Sequence, residues 1–156
     1  MAPPVARTKT LVKGKEIIVL IKKPAGADYI LFGCMTAADL DSPGAEVEET
    51  ACRSGTEKSP SGDIAVPTLS IEHIVRHYAT GDQATNVSDD EVQQWNDTAQ
   101  IIDLKYSVGD KIGDPVYTGQ GFFNGFSRKG PQKGDATGGA TFNFLTMPTR
   151  SLIVAP

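Results

Sequence analysis

Two histidines, His73 and His77, are the side chains of this sequence best suited to bind a metal ion. They are four residues apart, so a helix or a strand would place both imidazoles on one face. The metalloprotease pattern needs a glutamate directly after the first histidine, whereas here Glu72 precedes His73 and Ile74 follows it. We therefore predict structural histidines and no metal or other cofactor, with a zinc-dependent enzyme kept as an alternative.

Other segments that could do chemistry lack the details that the chemistry requires. Residues 119–125 are glycine-rich like a dinucleotide loop, but the last glycine gap is one residue too long and bulky aromatics replace small residues. Residues 130–134 lack the Gly-Lys-Ser/Thr ending of a phosphate loop. Neither Cys34 nor Cys52 has neighbours that would activate a thiol, and both are expected to be reduced and buried. The sequence thus predicts a protein that is not an enzyme.

Length and composition predict one folded domain over residues 1–156. The chain has 39% apolar residues, which is enough for a core, and its 16 glycines and 10 prolines favour turns over long helices. The longest apolar run, at residues 17–21, is far shorter than the roughly 20 residues needed to cross a bilayer. No membrane insertion is expected.

Charge is distributed unevenly, although the formal net charge is only -4. Residues 1–23 carry six basic side chains and one acid, whereas residues 27–50 and 82–103 carry acids and no base. We distinguish a basic N-terminal arm at residues 1–15 and a long polar connection at residues 41–62. Because no basic cluster is interleaved with aromatics, specific nucleic-acid binding is not expected.

Strand-like patterns dominate the chain. Apolar and β-branched runs bounded by turn residues predict strands at 16–21, 29–34, 46–52, 64–78, 120–126, 139–146 and 151–154. The first two are expected to form a hairpin, and segments 120–126 and 139–146 are expected to pair with each other. The fold class is therefore mainly β, either a sandwich or a barrel.

One amphipathic helix is predicted at about residues 88–103. Ser88 is a favourable N-cap, and Glu91 stands three residues later as in a capping box. The apolar positions expected to pack this helix on a sheet are Val92, Trp95, Ala99 and Ile102.

Several motifs, taken in order, resemble the tail tube proteins (major tail proteins) of long-tailed bacteriophages. In the first half the similar segments are 31–36 (LFGCMT), 47–55 (VEETACRSG) and 60–62 (PSG). In the second half they are 119–127 (GQGFFNGFS), 130–135 (GPQKGD) and 140–144 (ATFNF). Residues 71–78 depart from the family by being more charged, and no additional immunoglobulin-like domain is expected.

The resemblance implies a β-sandwich-like subunit with a flanking helix, a plan shared with inner tubes of contractile tails and secretion systems. It implies stacked rings, expected to be hexameric, whose sheets enclose a bore that conducts DNA without binding it specifically. The implied partners are further copies of the chain and tape measure, terminator and distal tail proteins. The implied location is the virion tail, with the host cytoplasm before assembly.

Two residue groups are singled out for that role. As hypotheses, Glu46, Glu48 and Thr50 line the bore or its rim, and the polar connection makes the contacts between rings. Within that connection the ring-stacking candidates are Ser54, Gly55, Thr56, Glu57, Lys58 and Ser59. The alternative from another class is a β-sandwich module that binds carbohydrate or decorates a virion.

Overall fold

The protein consists of ten β-strands and one α-helix in the part of the chain that the computed structural model describes. That part comprises residues 11–33, 35–53 and 55–155, and the side chains of residues 46, 48, 52, 61 and 63 lie outside the description. The elements are β1 (Ile17–Lys22), β2 (Tyr29–Leu31), β3 (Met35–Asp41), β4 (Ala45–Cys52), β5 (Gly55–Ile64), β6 (Thr68–Ile74), α1 (Asp89–Thr98), β7 (Ile102–Val108), β8 (Pro115–Lys129), β9 (Thr137–Phe144) and β10 (Thr149–Leu152).

Eight strands form one antiparallel sheet in the order β2-β1-β7-β8-β9-β6-β3, with β10 paired to β8. The two strands at the ends of this order, β2 and β3, are consecutive in the chain. Only three residues lie between Leu31 and Met35, and a link of this length spans at most about 14 Å. The sheet must therefore curl until its two ends approach each other.

The curled sheet encloses a single core. Alternate residues of the strands face inward, and the buried residues of both halves of the sheet belong to one apolar cluster. Val19, Leu104 and Phe142, from three different strands, are completely buried. This arrangement confirms the predicted fold class, which is mainly β with one flanking helix.

Strand β8 is long because it pairs with different neighbours along its length. Its first half lies between β7 and β10, and from Gly121 onward it pairs with β9, with a bulge between Phe123 and Phe126. Gly125 in this bulge has a φ of 123°, which favours glycine. The bulge bends the strand around the core.

Helix α1 begins as predicted and ends earlier than predicted. The Glu91 backbone N–H donates to the Ser88 hydroxyl, and the Ser88 N–H donates to the Glu91 carboxylate, so the capping box is formed. The helix stops at Thr98, because Ala99 adopts a left-handed φ of 50° as the C-cap.

Two of the four predicted helix-packing residues therefore do not pack α1 on the sheet. Val92 and Trp95 are buried on α1 as expected. Ala99 is the exposed C-cap, and Ile102 is the buried first residue of β7. The apolar residues that follow the end of a helix can continue its spacing, although the backbone there has already left the helical conformation.

The predicted long polar connection at residues 41–62 is also corrected. Asp41 ends β3, and the residues beyond it form an antiparallel hairpin of β4 and β5, which we call the arm. β5 was not predicted because its sequence, GTEKSPSGDI, is poor in residues that favour strands. It is a strand because it pairs with β4.

Most other predicted strands are present with shifted ends. The β1–β2 hairpin, the β8–β9 pair and the final strand are confirmed. The predicted 64–78 strand is shorter, as β6, and β3 was missed. Within the described residues, no helix is long and apolar enough to cross a bilayer. The thiol predictions stay untested, because Cys34 and the Cys52 side chain lie outside the description.

Candidate functional site

The arm is a hairpin whose described residues are exposed along both strands. Within those residues, β4 and β5 pair with each other and with no other strand. Val47 is 63% exposed although it is apolar, and it lies opposite Pro60. Towards the tip, Lys58 and Glu49 form a solvent-exposed ion pair of 3.0 Å. The arm therefore extends from the core, and no other described strand covers it.

Both groups of residues singled out from the sequence lie on this arm. Thr50 on β4 pairs in register with Glu57 on β5, and Glu48 pairs with Ser59. The bore candidates and the stacking candidates thus lie on the same hairpin, although sequence analysis assigned them to separate surfaces. The stacking candidates that the structure describes are exposed: Gly55, Thr56, Glu57, Lys58 and Ser59. Ser54 and the side chains of Glu46 and Glu48 lie outside the described residues.

A second surface, the polar face, is the outer side of β3, β6, β9 and the second half of β8. Inward residues of β6 such as Leu69 and Ile71 are buried, whereas the intervening Ser70 and Glu72 are exposed. The same alternation continues in β9, where outward Thr141 separates buried Ala140 and Phe142. The cross-strand register aligns these outward positions into rows across the sheet.

Small residues make the polar face concave. Gly139 on β9 lies between Glu72 on β6 and Ser127 on β8, and two shallow depressions of about 210 and 310 Å³ share these three residues. A Cβ added to Gly139 would lie 3.1 Å from the Ser127 hydroxyl. The absence of a side chain there leaves a smooth trough.

Acids outnumber bases on the polar face. In register, Asp39 lies opposite Ser70, Asp41 lies opposite Thr68, and Glu72 follows two residues after Ser70. Lys129 is the basic side chain at the far end of the face, opposite Thr137. The surface carries neutral hydroxyls and amides together with carboxylates, and only the carboxylates repel a polyanion.

A buried polar cluster attaches the start of α1 to the sheet. Asp89, the first residue of α1, accepts a hydrogen bond of 2.6 Å from His73 Nε2 on β6. Its other carboxylate oxygen accepts from Arg128 on β8, with 2.7 Å to Nε. Gly138 lies on β9, between His73 on β6 and Arg128 on β8. A Cβ there would come within 2.5 Å of the His73 ring, so this position needs a glycine. The cluster fixes the start of the helix to β6 and β8.

A second ion pair supports the same end of the helix. Lys23, just after β1, donates to both carboxylate oxygens of Glu91 at 2.7 and 2.9 Å. Acidic residues in a first helical turn also interact favourably with the helix dipole. Trp95, one turn later, stacks on Phe123 of β8 with ring centroids 6.4 Å apart. Helix α1 is therefore anchored to the sheet by ion pairs in its first turn and by Trp95 one turn later.

The histidines do not form the metal site that the sequence raised as an alternative. His73 is 2% exposed and bonded to Asp89, whereas His77 is exposed beyond the end of β6. Among the described residues, no group of three or more His, Cys, Asp or Glu is placed to hold a metal ion. These positions support the interpretation of His73 as a structural residue.

Sequence analysis missed the polar face and the buried cluster for different reasons. The alternation of apolar and polar residues at 68–74 could have predicted the polar face, because it is typical of a strand with one polar side. Nothing in the sequence links the three residues of the buried cluster. Asp89 is 16 residues from His73, and Arg128 is 39 residues from Asp89.

Comparisons with known proteins reveal similarity at the level of structure. No protein-family model and no curated protein matches the sequence. The tail of an empty GTA (gene transfer agent) particle matches with a TM-score of 0.69 and 12% identity, over 91% of this chain and 98% of that chain. The SPP1 tail tube matches with a TM-score of 0.70 and 9% identity, over 92% and 81%.

The chain has the fold of tail tube proteins. A chain of a contractile system has a similar fold: one from the PVC extracellular contractile injection system sheath-tube complex matches with a TM-score of 0.62 and 12% identity, over 93% of this chain and 94% of that chain. The tail-tube fold thus extends over nearly the whole chain. This confirms the fold that the motif resemblance implied.

Proposed function

We propose that this chain is the subunit of a tail tube, a structural and non-catalytic component of a virion tail. Copies form rings that stack into a hollow tube, and the chain resides in the host cytoplasm before assembly. The observation that carries the proposal is the tail-tube fold over more than nine-tenths of the chain. The exposed arm supports it, because a hairpin with uncovered apolar residues suits contacts between copies.

Six copies per ring is the proposed symmetry. The GTA tail was computed with C6 symmetry, and the anti-feeding prophage baseplate was 6-fold symmetrised. Open strand edges at β2, β3 and β10 suit head-to-tail contacts, which close into a ring when the rotation between copies allows it. In the ring, strands of neighbouring copies would form hydrogen bonds with the edge backbone groups that are exposed to water in a monomer.

The polar face is proposed as the wall of the bore. DNA carries about one negative charge per 1.7 Å of helix axis, so a basic wall would retain it. The outward positions described above include three acids, Asp39, Asp41 and Glu72, and one base, Lys129. This excess of negative charge would repel DNA. In this arrangement Glu46, Glu48 and Thr50 belong to the arm and contribute to the rim where rings meet.

Other tail proteins are proposed to bind the ends of the tube. Matching chains come from a sheath/tube terminator assembly and from a tube-terminating cap. By analogy, the proposed end partners are terminator and distal tail proteins, with a tape measure protein inside.

The tube proposal is tested by electron microscopy of the purified chain at increasing concentration. We expect hollow rods from the parent. A deletion of residues 54–59 shortens the arm and should leave a folded protein without rods, whereas shortening the exposed turn at 130–134 should leave rods intact. A parent chain that stays monomeric at every concentration would overturn the tube, and rods from the 54–59 deletion would overturn the role of the arm.

The bore proposal has a separate test. Rods assembled from an Asp39→Lys and Glu72→Lys variant should sediment with linear double-stranded DNA at low salt and release it at high salt. Matched reversals at Asp90 and Asp97, exposed on α1, should not retain DNA to the same extent. Equal retention by both variants would remove the polar face from the bore.

A further inference from the structure

The bulge in β8 places an asparagine directly before a glycine whose conformation is special. Asn124 and Gly125 are the two residues between Phe123 and Phe126, where the pairing of β8 with β9 changes register. Both residues are exposed. Gly125 has a φ of 123°, at which a residue with a side chain would be strained. The bulge therefore requires a glycine at the position after Asn124.

A glycine that follows an asparagine makes the asparagine side chain chemically labile. The backbone nitrogen of Gly125 can lose its proton to a base in the solvent and attack Cγ of Asn124, because glycine has no Cβ to obstruct the approach. The new N–Cγ bond closes a succinimide ring, the bond from Cγ to Nδ2 breaks, and ammonia leaves with a proton taken from water. Addition of water to one of the two ring carbonyls then gives aspartate or isoaspartate.

A hydrogen bond from helix α1 opposes this reaction. The Gly125 backbone N–H donates to Oδ1 of Asn96 at 2.9 Å. Deprotonation of the nitrogen would leave two lone pairs facing each other, so the hydrogen bond keeps the proton in place. The Asn96 amide is oriented for this role, because its Nδ2 donates to the Asp97 carboxylate at 3.2 Å and its oxygen is thereby turned to Gly125.

The position of Asn96 depends on how the end of α1 packs on β8. Its neighbour Trp95 stacks on Phe123, with ring centroids 6.4 Å apart. The backbone carbonyl of Asn96 accepts from the N–H of the C-cap Ala99. The last turn of the helix thus holds the Asn96 side chain at the bulge, and separation of this turn from β8 would free the Gly125 N–H.

We propose that Asn124 is a deamidation site and that Asn96 controls its rate. The substrate is the protein's own Asn124 side chain, water is the co-reactant, and ammonia is the product. The other asparagines of the sequence precede residues that carry side chains, which hinder attack by the backbone nitrogen: Asn86, Asn96 and Asn143. The proposal concerns the chemical ageing of the chain and does not rest on the proposed tube function.

Modification changes both the charge and the backbone of the bulge. Either product replaces a neutral amide with a carboxylate on an exposed surface. Isoaspartate also adds a carbon atom to the main chain, in the segment where β8 bends and its pairing with β9 changes register. We therefore expect deamidated protein to unfold at a lower urea concentration than fresh protein.

The proposal is tested by incubation of the full chain in mildly alkaline buffer, with conversion at each asparagine measured by peptide mass spectrometry. We expect Asn96→Ala to accelerate conversion at Asn124 about fivefold, the factor expected when a hydrogen bond of ordinary net strength is lost. Asn96→Asp retains an oxygen acceptor and should stay close to the parent rate. Gln94→Ala, at an exposed position of the same helix, is the matched control.

Incubation in urea separates protection by the fold from the lability of the dipeptide itself. Denatured parent and denatured Asn96→Ala should convert at one common rate, faster than the folded parent. Equal rates for the two folded proteins would overturn the role of Asn96, as would a folded parent that converts as fast as the denatured chain. Faster conversion in urea at any asparagine other than Asn124 would overturn the assignment of the site. Circular dichroism checks that Asn96→Ala is folded.

Discussion

At the scale of single residues, Asp89 is the most constrained polar group described. Its side chain is fully buried, and its two oxygens serve His73 and Arg128 on different strands. A buried carboxylate is tolerated only when it is paired and hydrogen-bonded. Arg128 is 38% exposed and can return to water when the pair is broken, whereas Asp89 cannot. The two partners therefore contribute unequally to stability.

Removal of Arg128 should accordingly be more harmful than neutralisation of Asp89. We expect Arg128→Leu to lower the free energy of unfolding by about 2–3 kcal/mol, below the usual range for a fully buried pair because Arg128 is partly exposed. Asp89→Asn should cost about 1–2 kcal/mol. The double variant should be less destabilised than the sum. Urea denaturation measures all three.

The neighbouring Lys129→Leu is the matched control, because it removes a surface cation of the same strand and should change stability by less than about 0.5 kcal/mol. Strict additivity of Arg128→Leu and Asp89→Asn would contradict a coupled cluster.

At the scale of elements, α1 is well formed at its start and poorly terminated at its end. Its first turn combines the capping box with ion pairs to Lys23, just after β1, and to Arg128 on β8. Its last turn carries no basic residue, and an alanine occupies the left-handed position where glycine is preferred. A non-glycine residue in that conformation costs about 1–2 kcal/mol.

We therefore expect Ala99→Gly to stabilise the protein by about 1 kcal/mol, part of the strain being offset by the greater freedom of glycine in the unfolded chain. A raised urea midpoint with an unchanged slope is the expected result. Thr98→Gly, one residue earlier and still helical, should instead destabilise by about 0.5–1 kcal/mol. If both variants shift the midpoint in the same direction, the left-handed C-cap is not the cause.

At the scale of the whole molecule, the curl of the sheet creates a long-range electrostatic contact. Burial raises the pKa of the Tyr106 phenol on β7, and the charge of Asp39 on β3 and the nearby Tyr117 raise it further. β7 and β3 are four steps apart in the sheet order, so the sheet must close for Asp39 to act on Tyr106. The alkaline stability of the protein should therefore depend mainly on the burial of the Tyr106 phenol, with a smaller contribution from Asp39.

The sign follows from linkage. A tyrosine whose pKa is higher in the folded state loses its proton first in the unfolded chain, so stability is full below about pH 10 and falls as the pH rises. We expect the urea midpoint of the parent to drop between about pH 9 and pH 11. Tyr106→Phe should drop less over the same interval, because lysine deprotonation is common to both proteins. Parallel pH profiles would show that Tyr106 contributes nothing.

The sequence by itself determined the features that depend on neighbouring residues. Alternation gave most strands, and Ser88 with Glu91 gave the start of the helix, since capping and side-chain periodicity are local effects. The ordered motifs predicted the tail-tube fold. The end of the helix failed because the spacing of Ala99 and Ile102 continued a helical pattern into β7.

Only the tertiary structure decided which distant residues meet. The pairing of β5 with β4 and the cluster of His73, Asp89 and Arg128 both join segments that are separate in sequence. Their energies come from contacts between strands and from burial, which no local pattern encodes. Sheet closure brings the cluster together, and among the described residues it leaves the arm paired with no other strand.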